Sequence, residues 1–249
     1  NVPVFTSHNM IYVANNWPNN TVSVINGQTN SVATTISVEF NPMAIGVNET
    51  TAMIYVINAG SETVSVINGQ TNTVVHTIPI GIEPEAVAIG VDPTTNMIYI
   101  TNGVNAISVI NGQTNTVVQN ISVGYGPYAI GVDPTTDMIY VANQFDGTVS
   151  VINGQTNTVV QTIPIGSYNL PSAIGVNPQT DMIYVSNNWD NTISVINGQT
   201  NTIAATISVN QPSAIGVNTT TDMIYVINGG SNNVSVINGQ TNSVVVIRV

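Results

Sequence analysis

The sequence predicts an all-β fold, a six-bladed β-propeller with four antiparallel strands in each blade. Two blocks recur six times along the whole chain: Met-Ile-Tyr followed by Val or Ile, and an unchanged Ser-Val-Ile-Asn-Gly-Gln-Thr-Asn. Successive starts of the first block are 41 to 44 residues apart. A period of about 40–45 residues built from short apolar runs is typical of propellers. We therefore predict one domain over residues 1–249, with blades at 1–41, 42–84, 85–126, 127–169, 170–210 and 211–249.

The fourth repeat shows why each blade is expected to hold four strands. An apolar run with a glycine at 129–132 suits an inner strand, where backbones approach closely. The β-branched and aromatic residues at 138–141 predict the second strand, and the third is expected at 148–152. Asn153 and Gly154 then predict a tight hairpin in which both residues have positive φ. The fourth strand is expected at about 158–165.

Polar turns separate the first and second strands of each repeat. In the fourth repeat this turn runs from Asp133 to Asp137. Three equivalent turns hold Asp or Asn at the same spacing, at Asp92 and Asn96, Asn177 and Asp181, and Asn218 and Asp222. Oxygen ligands at this spacing can bind Ca²⁺, but a calcium site needs six to eight oxygens. We expect these side chains to cap backbone amides of the turn instead.

The last six residues, 244–249, depart from the pattern of the other fourth strands. We expect an ordinary final strand, with an edge strand that pairs with another chain as the alternative.

Charge excludes several kinds of partner. The net charge is −11, and the chain has no Lys and a single Arg, Arg248. A chain with so few basic side chains cannot neutralise phosphates, so we expect neither nucleic acid binding nor direct membrane insertion. No Cys is present, and two His residues cannot supply a copper cluster or a haem site. We therefore predict no metal and no cofactor.

The second strands and the residues after them read Tyr-Val-Ala-Asn, Tyr-Val-Ile-Asn, Tyr-Ile-Thr-Asn, Tyr-Val-Ala-Asn, Tyr-Val-Ser-Asn and Tyr-Val-Ile-Asn. With the Val-Ser-Val-Ile and Thr-Asn-Thr-Val-Val elements that follow, the chain resembles the YVTN family of β-propeller repeats. The resemblance covers the whole chain. The family is similar to domains of archaeal surface-layer and other cell-surface proteins, so the resemblance implies an exterior, structural or adhesive role. Members of the family often have seven blades, whereas six repeats occur in this sequence.

Aromatic residues form the candidate contact site for a ligand or partner. They are expected on the face that carries the variable loops, either after second strands or in the links between blades, where individual function is usually placed. Such side chains stack sugar rings or anchor protein interfaces, and the alternative is that they are partly buried loop plugs. The set comprises Trp17, Phe40, Tyr125, Tyr128, Phe145, Tyr168 and Trp189.

Enzymatic sites are weakly indicated. The chain offers no convincing Ser-His-Asp set, and without Lys a lysine nucleophile is impossible. A carboxylate pair at Glu83 and Glu85 is one candidate for acid/base chemistry, although a solvated loop is the simpler interpretation. Asn-x-Ser/Thr sequons are possible glycosylation sites and occur at Asn19, Asn48, Asn120, Asn218 and Asn233.

We therefore expect a non-enzymatic, extracellular or cell-surface protein with a structural or self-assembling, surface-layer or filament-like role. The alternative is an extracellular carbohydrate- or protein-binding adhesion module that uses the aromatic loop face. The expected partners are other copies of the chain or other cell-surface proteins, and glycans for the adhesion module. A third hypothesis is an enzyme that uses the Glu83 and Glu85 carboxylates.

Overall fold

The computed structural model describes residues 9–81, 88–166 and 170–248. Its strands, in chain order, are β1 Met10–Asn15, β2 Thr21–Asn26, β3 Ser31–Ser37, β4 Pro42–Asn48, β5 Met53–Asn58, β6 Thr63–Asn68, β7 Thr73–Pro79, β8 Ile89–Asp92, β9 Met97–Asn102, β10 Ala106–Asn111, β11 Thr116–Ser122, β12 Pro127–Asp133, β13 Met138–Asn143, β14 Thr148–Asn153, β15 Thr158–Pro164, β16 Pro171–Asn177, β17 Met182–Asn187, β18 Thr192–Asn197, β19 Thr202–Ser208, β20 Pro212–Asn218, β21 Met223–Asn228, β22 Asn233–Asn238 and β23 Val244–Arg248. No helix long and apolar enough to cross a membrane occurs among these residues.

The described strands pair into six sheets, each with its strands in chain order. The first sheet holds β1–β3, and the second to sixth hold β4–β7, β8–β11, β12–β15, β16–β19 and β20–β23. The predicted four-stranded unit is thus confirmed in five sheets, while the inner strand expected in the first repeat lies outside the described residues. β23 is the fourth strand of the last sheet and pairs with β22, as the ordinary final-strand prediction required.

The chain divides into two compact units. The first comprises Asn1–Gly103 and Ser108–Asn120, and the second comprises Val104–Ile107 and Ile121–Val249. Apart from the ends of β10 and β11, the first three sheets belong to the first unit. The fourth to sixth sheets belong to the second unit, which carries the candidate site described below.

Within each unit the sheets pack face to face through alternate residues of their second strands. In β17, Ile183 and Val185 pack against the fourth sheet, whereas Tyr184 packs against the sixth. All three side chains are fully buried. The consecutive apolar residues of the repeated block are therefore explained by burial on both faces, since each buried Ile or Val contributes about 1.5–3 kcal/mol.

The glycine of the inner strand is needed because neighbouring inner strands approach closely. A Cβ built on Gly131 of β12 would collide with Ile174 and Val176 of β16. The same contact is made by Gly46 of β4, whose Cβ would lie 2.7 Å from Val91 Cγ2 of β8. The close approach expected from the sequence is confirmed, and it involves side chains of the next inner strand.

The hairpin between third and fourth strands differs from the predicted two-residue turn. In the fourth sheet the turn contains residues 154–157, and the residue with positive φ is Asn157 rather than Asn153 or Gly154. Asn153 Oδ1 accepts hydrogen bonds from the amides of Gln155 and Thr156, both at 3.0 Å, which closes the turn with a side chain. Gly154 is present because a Cβ there would collide with Asp137, whose carbonyl accepts the Gly154 amide at 2.8 Å.

A buried asparagine at the end of the second strand joins the second and third strands. Asn187 Nδ2 donates to Thr192 Oγ1 at 3.0 Å and to Ser194 Oγ at 2.8 Å. The same pair of bonds is made by Asn15, Asn58 and Asn143. The terminal Asn of the Tyr-Val-x-Asn block is therefore a structural residue.

Replacing Asn187 by Ala is expected to lower the free energy of unfolding by about 1–3 kcal/mol. The change removes two hydrogen bonds and leaves the oxygens of Ser194, which is buried, and Thr192, which is partly buried, without the amide that donates to them. Thermal unfolding followed by circular dichroism measures the effect. The matched control is Asn19→Ala, which shortens an exposed side chain. Equal melting temperatures for the two variants would contradict the structural role of Asn187.

Candidate functional site

The variable loops of the second unit lie at one end of its sheets. In the fourth sheet Pro127, which begins the inner strand, pairs with Asn143, which ends the second strand. The link before β12 and the loop after β13 therefore share one sheet end, as the face prediction required. The same pairing joins Pro171 to Asn187 and Pro212 to Asn228 in the next two sheets. We call this the loop end of the second unit.

Two of the predicted aromatic residues form a stacked pair at the loop end. The rings of Tyr125 and Phe145 lie 5.1 Å apart between centroids and are tilted by 39°. They stay about half exposed, at 50% and 56%. The Phe145 ring lies over Gly126, where a Cβ would collide with it. This exposed aromatic surface is suited to contact with a flat or ring-shaped ligand.

A carboxylate is fixed beside the aromatic pair. Asp146 Oδ2 accepts a hydrogen bond from the Tyr125 amide at 2.7 Å. The loop and the link are also joined through the backbone, since the Phe145 amide donates to the Tyr125 carbonyl at 3.2 Å. Asp146 is exposed, so its carboxylate is open to solvent. The hydrogen bond from the Tyr125 amide holds it in place.

Hydroxyl groups line the start of the inner strands at the same end. Tyr128 in β12, Ser172 in β16 and Ser213 in β20 each occupy a β-bulge, the position between two regular pairs where the register shifts. A bulge turns its extra residue out of the regular alternation, and bulges are common beside active sites. The Ser172 hydroxyl lies 3.0 Å from that of Ser186, and Ser213 Oγ donates to the Ile227 carbonyl at 3.3 Å. In the first unit, Met43 holds the bulge position of β4.

The remaining predicted aromatic residues belong to both units. Trp17 and Phe40 are exposed and belong to the first unit. Trp189, in the loop after β17, is 70% exposed, so it is not a buried plug. Tyr168 lies outside the described residues.

Other candidate residues are spread over the chain. Glu83, Glu85 and His8 lie outside the described residues, and His76 is exposed in β7. Among the described residues, no group of three or more His, Cys, Asp or Glu side chains is placed to hold a metal ion. The sequon residue Asn48 is fully buried and donates to Asn96 Oδ1 at 2.8 Å, so a glycan at Asn48 does not fit the folded protein. Asn19, Asn120 and Asn218 are exposed, and Asn233 is partly exposed.

The turns at the opposite end of the second unit contain two acids, one fully buried and one partly buried. Asp133 is fully buried, and its Oδ1 accepts from the amides of Thr135 and Thr136, which confirms the predicted capping. Its Oδ2 and Asp181 Oδ1 are buried without a hydrogen-bond partner. Burial, and then the charge of Asp133, raise the pKa of Asp181 above its ordinary value. Burial and the charges of Asp181 and Asp133 raise the pKa of Tyr140 as well.

Sequence reasoning missed three parts of this arrangement. The bulges depend on how the strands pair. The Asp146 hydrogen bond depends on contact between the segment before β12 and the loop after β13. The Asp133–Asp181 pair was hidden because the two acids belong to different repeats. The signal for the pair was that Asp occurs at both positions. Asp92 and Asp137 share this feature, whereas the equivalent pairs Asn48/Asn96 and Asn177/Asp222 hold at least one Asn.

Comparison with known proteins then gives the family. The family model described as "Lactonase, 7-bladed beta-propeller" matches residues 4–246. The chain is also similar to the crystal structure of a functionally unknown protein from Desulfotomaculum acetoxidans DSM 771, with a TM-score of 0.82 and 16% identity over 96% of this chain and 79% of that one. At this identity the likeness supports the fold alone. No curated protein matches the chain.

The family match corrects the function expected from the sequence. A non-enzymatic structural or adhesive surface protein was predicted, but the matching family is named for an enzyme activity. That prediction was wrong because the repeats determine the propeller and not its chemistry. The propeller part of the resemblance to YVTN repeats is confirmed, whereas nothing supports the surface-layer part.

Proposed function

Because the chain belongs to the lactonase family of seven-bladed β-propellers, we propose that it is a lactonase-type hydrolase with its site at the loop end of the second unit. The observation that carries the location is the Asp146 carboxylate, held by the Tyr125 amide beside the Tyr125–Phe145 pair. Pockets for small ligands combine apolar or aromatic walls with a few fixed polar groups. The loop end of the second unit has both.

Hydrolysis of a lactone needs a base, a surface that positions the ring and donors for the carbonyl oxygen. We assign the base to Asp146, which takes a proton from water as the water oxygen bonds to the carbonyl carbon. The bond between that carbon and the ring oxygen then breaks, and the ring oxygen receives the proton, giving a hydroxy acid. The aromatic pair positions the ring. We assign the Tyr128 and Ser172 hydroxyls, at the start of the inner strands, as the donors for the developing negative charge.

The substrate proposed is an uncharged lactone. Arg248 is the only Lys or Arg in the chain, and it lies in β23, the outer strand of the sixth sheet. A phosphorylated or carboxylated lactone would therefore meet no basic side chain at the site, while the net charge of −11 repels anions. Hydroxyls and aromatic rings instead suit a neutral, hydroxylated ring.

The test is acid release from lactones, followed with a pH indicator, using the purified chain and a panel of neutral sugar lactones beside one phosphorylated lactone. Turnover is expected with a neutral lactone only. Asp146→Asn is expected to lower kcat by about 100-fold or more, the usual effect of losing a general base. The control is Glu49→Gln, an exposed acid in the turn after β4.

No hydrolysis above the spontaneous rate for any lactone would overturn the proposed function. Turnover that Asp146→Asn leaves unchanged would instead overturn the proposed site. Faster turnover of the phosphorylated lactone would contradict the substrate class.

Two finer features remain proposals. We propose six blades, on the support of six repeats and six described sheets, although the family is described as seven-bladed. An extracellular location likewise stays a prediction from the sequence.

A further inference from the structure

The loop after β17 repeats the arrangement of the loop that carries the proposed base. In both the fourth and the fifth sheet, four residues separate the paired ends of the second and third strands. They read Gln-Phe-Asp-Gly after β13 and Asn-Trp-Asp-Asn after β17. Trp189 and Asp190 therefore stand at the positions of Phe145 and Asp146, one sheet further along the chain.

The backbone around Trp189 is fixed, although its ring is open to solvent. Asn188 Nδ2 donates to the Pro212 carbonyl at 3.1 Å, and the Gln211 amide donates to Asn191 Oδ1 at 2.8 Å. These two bonds tie both ends of the loop to the segment that begins β20. Trp189 is nevertheless 70% exposed. A ring presented on a fixed loop loses little conformational freedom when it contacts a ligand.

The loops that carry Trp189 and Asp146 belong to neighbouring sheets of the second unit. Ile183 of the fifth sheet packs into the core cluster of the fourth, and both loops stand at the loop end. Sheets that pack face to face are about 10 Å apart. Two linked sugar rings can span this separation, with one ring at Asp146 and the other at Trp189.

The side chains around Trp189 favour a neutral ring with hydroxyl groups. Its neighbours in the loop are the amides of Asn188 and Asn191 and the exposed carboxylate of Asp190, all of which bond hydroxyls. A sugar ring offers an apolar face to the indole and hydroxyls at its edge. A nucleotide or a sugar phosphate would need a basic side chain, and Arg248, the one Arg of the chain, lies in the outer strand β23.

We propose that Trp189 and Asp190 form a second sugar subsite, so that the preferred substrate is the lactone of a disaccharide rather than of a single sugar. The lactone ring lies at Asp146. The second ring stacks on the Trp189 indole, and Asp190 accepts hydrogen bonds from its hydroxyls. The subsite rests on the proposed lactonase activity and names its substrate. Trp189 determines specificity and takes no part in the hydrolysis itself.

The first test compares hydrolysis of gluconolactone with that of cellobionolactone, maltobionolactone and lactobionolactone. A lower KM is expected for at least one disaccharide lactone. Trp189→Ala is expected to raise that KM about tenfold and to leave its kcat and both gluconolactone constants unchanged. Trp189→Phe keeps a ring and is expected to keep most of the preference. The matched control is Trp17→Ala, because Trp17 follows the second strand of the first sheet at the same distance and is 72% exposed.

The second test measures sugar binding without turnover. The chain has two Trp residues, so Trp17→Phe leaves Trp189 as its one indole. Titration of this variant with cellobiose, maltose and lactose is expected to shift the fluorescence emission to shorter wavelength with at least one of them, because a stacked ring removes water from the indole. Sorbitol, which has hydroxyls but no ring, is the control ligand and is expected to give no shift.

The two tests separate failure of the subsite from failure of the proposed function. A fluorescence shift without hydrolysis of any lactone would support the sugar contact at Trp189 and overturn the lactonase activity. No shift with any disaccharide, or equal disaccharide constants for Trp189→Ala and the unmodified chain, would overturn the subsite. Circular dichroism of each variant shows that it is folded.

Discussion

Gly175→Ala is expected to lower the free energy of unfolding by about 2–3 kcal/mol. The added methyl group would lie 2.5 Å from Ile215 Cγ2 and 2.8 Å from Val217 Cγ2, both on the next inner strand. These are branched, partly buried side chains packed against a core cluster, so neither can turn away without disturbing its neighbours. For a chain of this length, the melting temperature should fall by roughly 4–12 °C.

The sixth sheet offers a matched control for this prediction. Gly216 occupies the equivalent strand position, but among the residues that the structure describes a Cβ there meets nothing within 4 Å. Gly216→Ala is therefore expected to be neutral, or to stabilise the monomer by about 0.4–1 kcal/mol, because Ala restricts the unfolded chain. Thermal unfolding of both variants at low protein concentration checks the pair. Equal losses of stability would show that close packing at the inner strands is not what requires glycine.

The sequence was sufficient for these glycines because they repeat. The inner strands of the second to sixth sheets carry Gly at the same place, and a glycine within a strand indicates close approach of another chain segment. The strands themselves were predicted for the same reason, since burial on both faces requires the consecutive apolar residues of Met-Ile-Tyr-Val. The residues that recur in each repeat are those that pack between sheets, so their role can be inferred from a single repeat.

The turn after the third strand was mispredicted because two rules compete for one sequence. Asn-Gly favours a two-residue turn, but in Asn-Gly-Gln-Thr-Asn the first Asn side chain caps the next amides and the last Asn takes the positive φ. Local propensity alone does not decide between these two turn conformations. The contact between Gly154 and the turn at Asp137 decides between them, and that contact joins residues distant in sequence.

The candidate site was predicted only in part. Tyr125, Tyr128 and Phe145 were selected because they vary where the repeats do not, and the structure places them at one sheet end. Asp146 was not selected, because the hydrogen bond from the Tyr125 amide that fixes its carboxylate joins residues of different loops. Ser172 and Ser213 were not selected either, since a serine among many serines and threonines carries no signal until a bulge exposes it.

Replacing Asp133 by Asn is expected to raise the free energy of unfolding at pH 7 by about 1–3 kcal/mol, the usual cost of an unsatisfied buried polar group. At the junction of the fifth and sixth sheets, the equivalent residue is Asn177, whose amide donates to Asp222 Oδ1 at 2.7 Å. At the junction of the fourth and fifth sheets, an acid takes that place. Asp133 Oδ2 and Asp181 Oδ1 are both acceptors, and both are buried without a partner. An amide at residue 133 would supply a hydrogen-bond donor, which a carboxylate at this position lacks.

The pH dependence follows from the raised pKa of Asp181. Burial first, and then the charge of Asp133, raise this pKa above its ordinary value of 3.8, so the folded state keeps a proton that the unfolded state releases. The stability gained from this proton is fully present below about pH 3.8 and is lost as pH rises through the folded pKa. The third titratable group at the junction, Tyr140, has a pKa raised above its ordinary value of 10.0 and stays neutral in this range. Asp133→Asn should therefore reduce the loss of stability between acid and neutral pH.

Asn177→Asp is the converse change and tests the same cause at the next junction. It places an acid opposite Asp222 and removes the amide donor, so a loss of about 1–3 kcal/mol is expected at pH 7, with recovery towards acid pH. Melting temperatures of the unmodified chain and the two variants, measured from pH 4 to pH 8 at constant ionic strength, should then separate in opposite directions. Parallel profiles for all three proteins would contradict the role assigned to the raised pKa of Asp181. Opposite shifts would assign the pH dependence to the identity of a single junction residue, because neither substitution changes the number of heavy atoms.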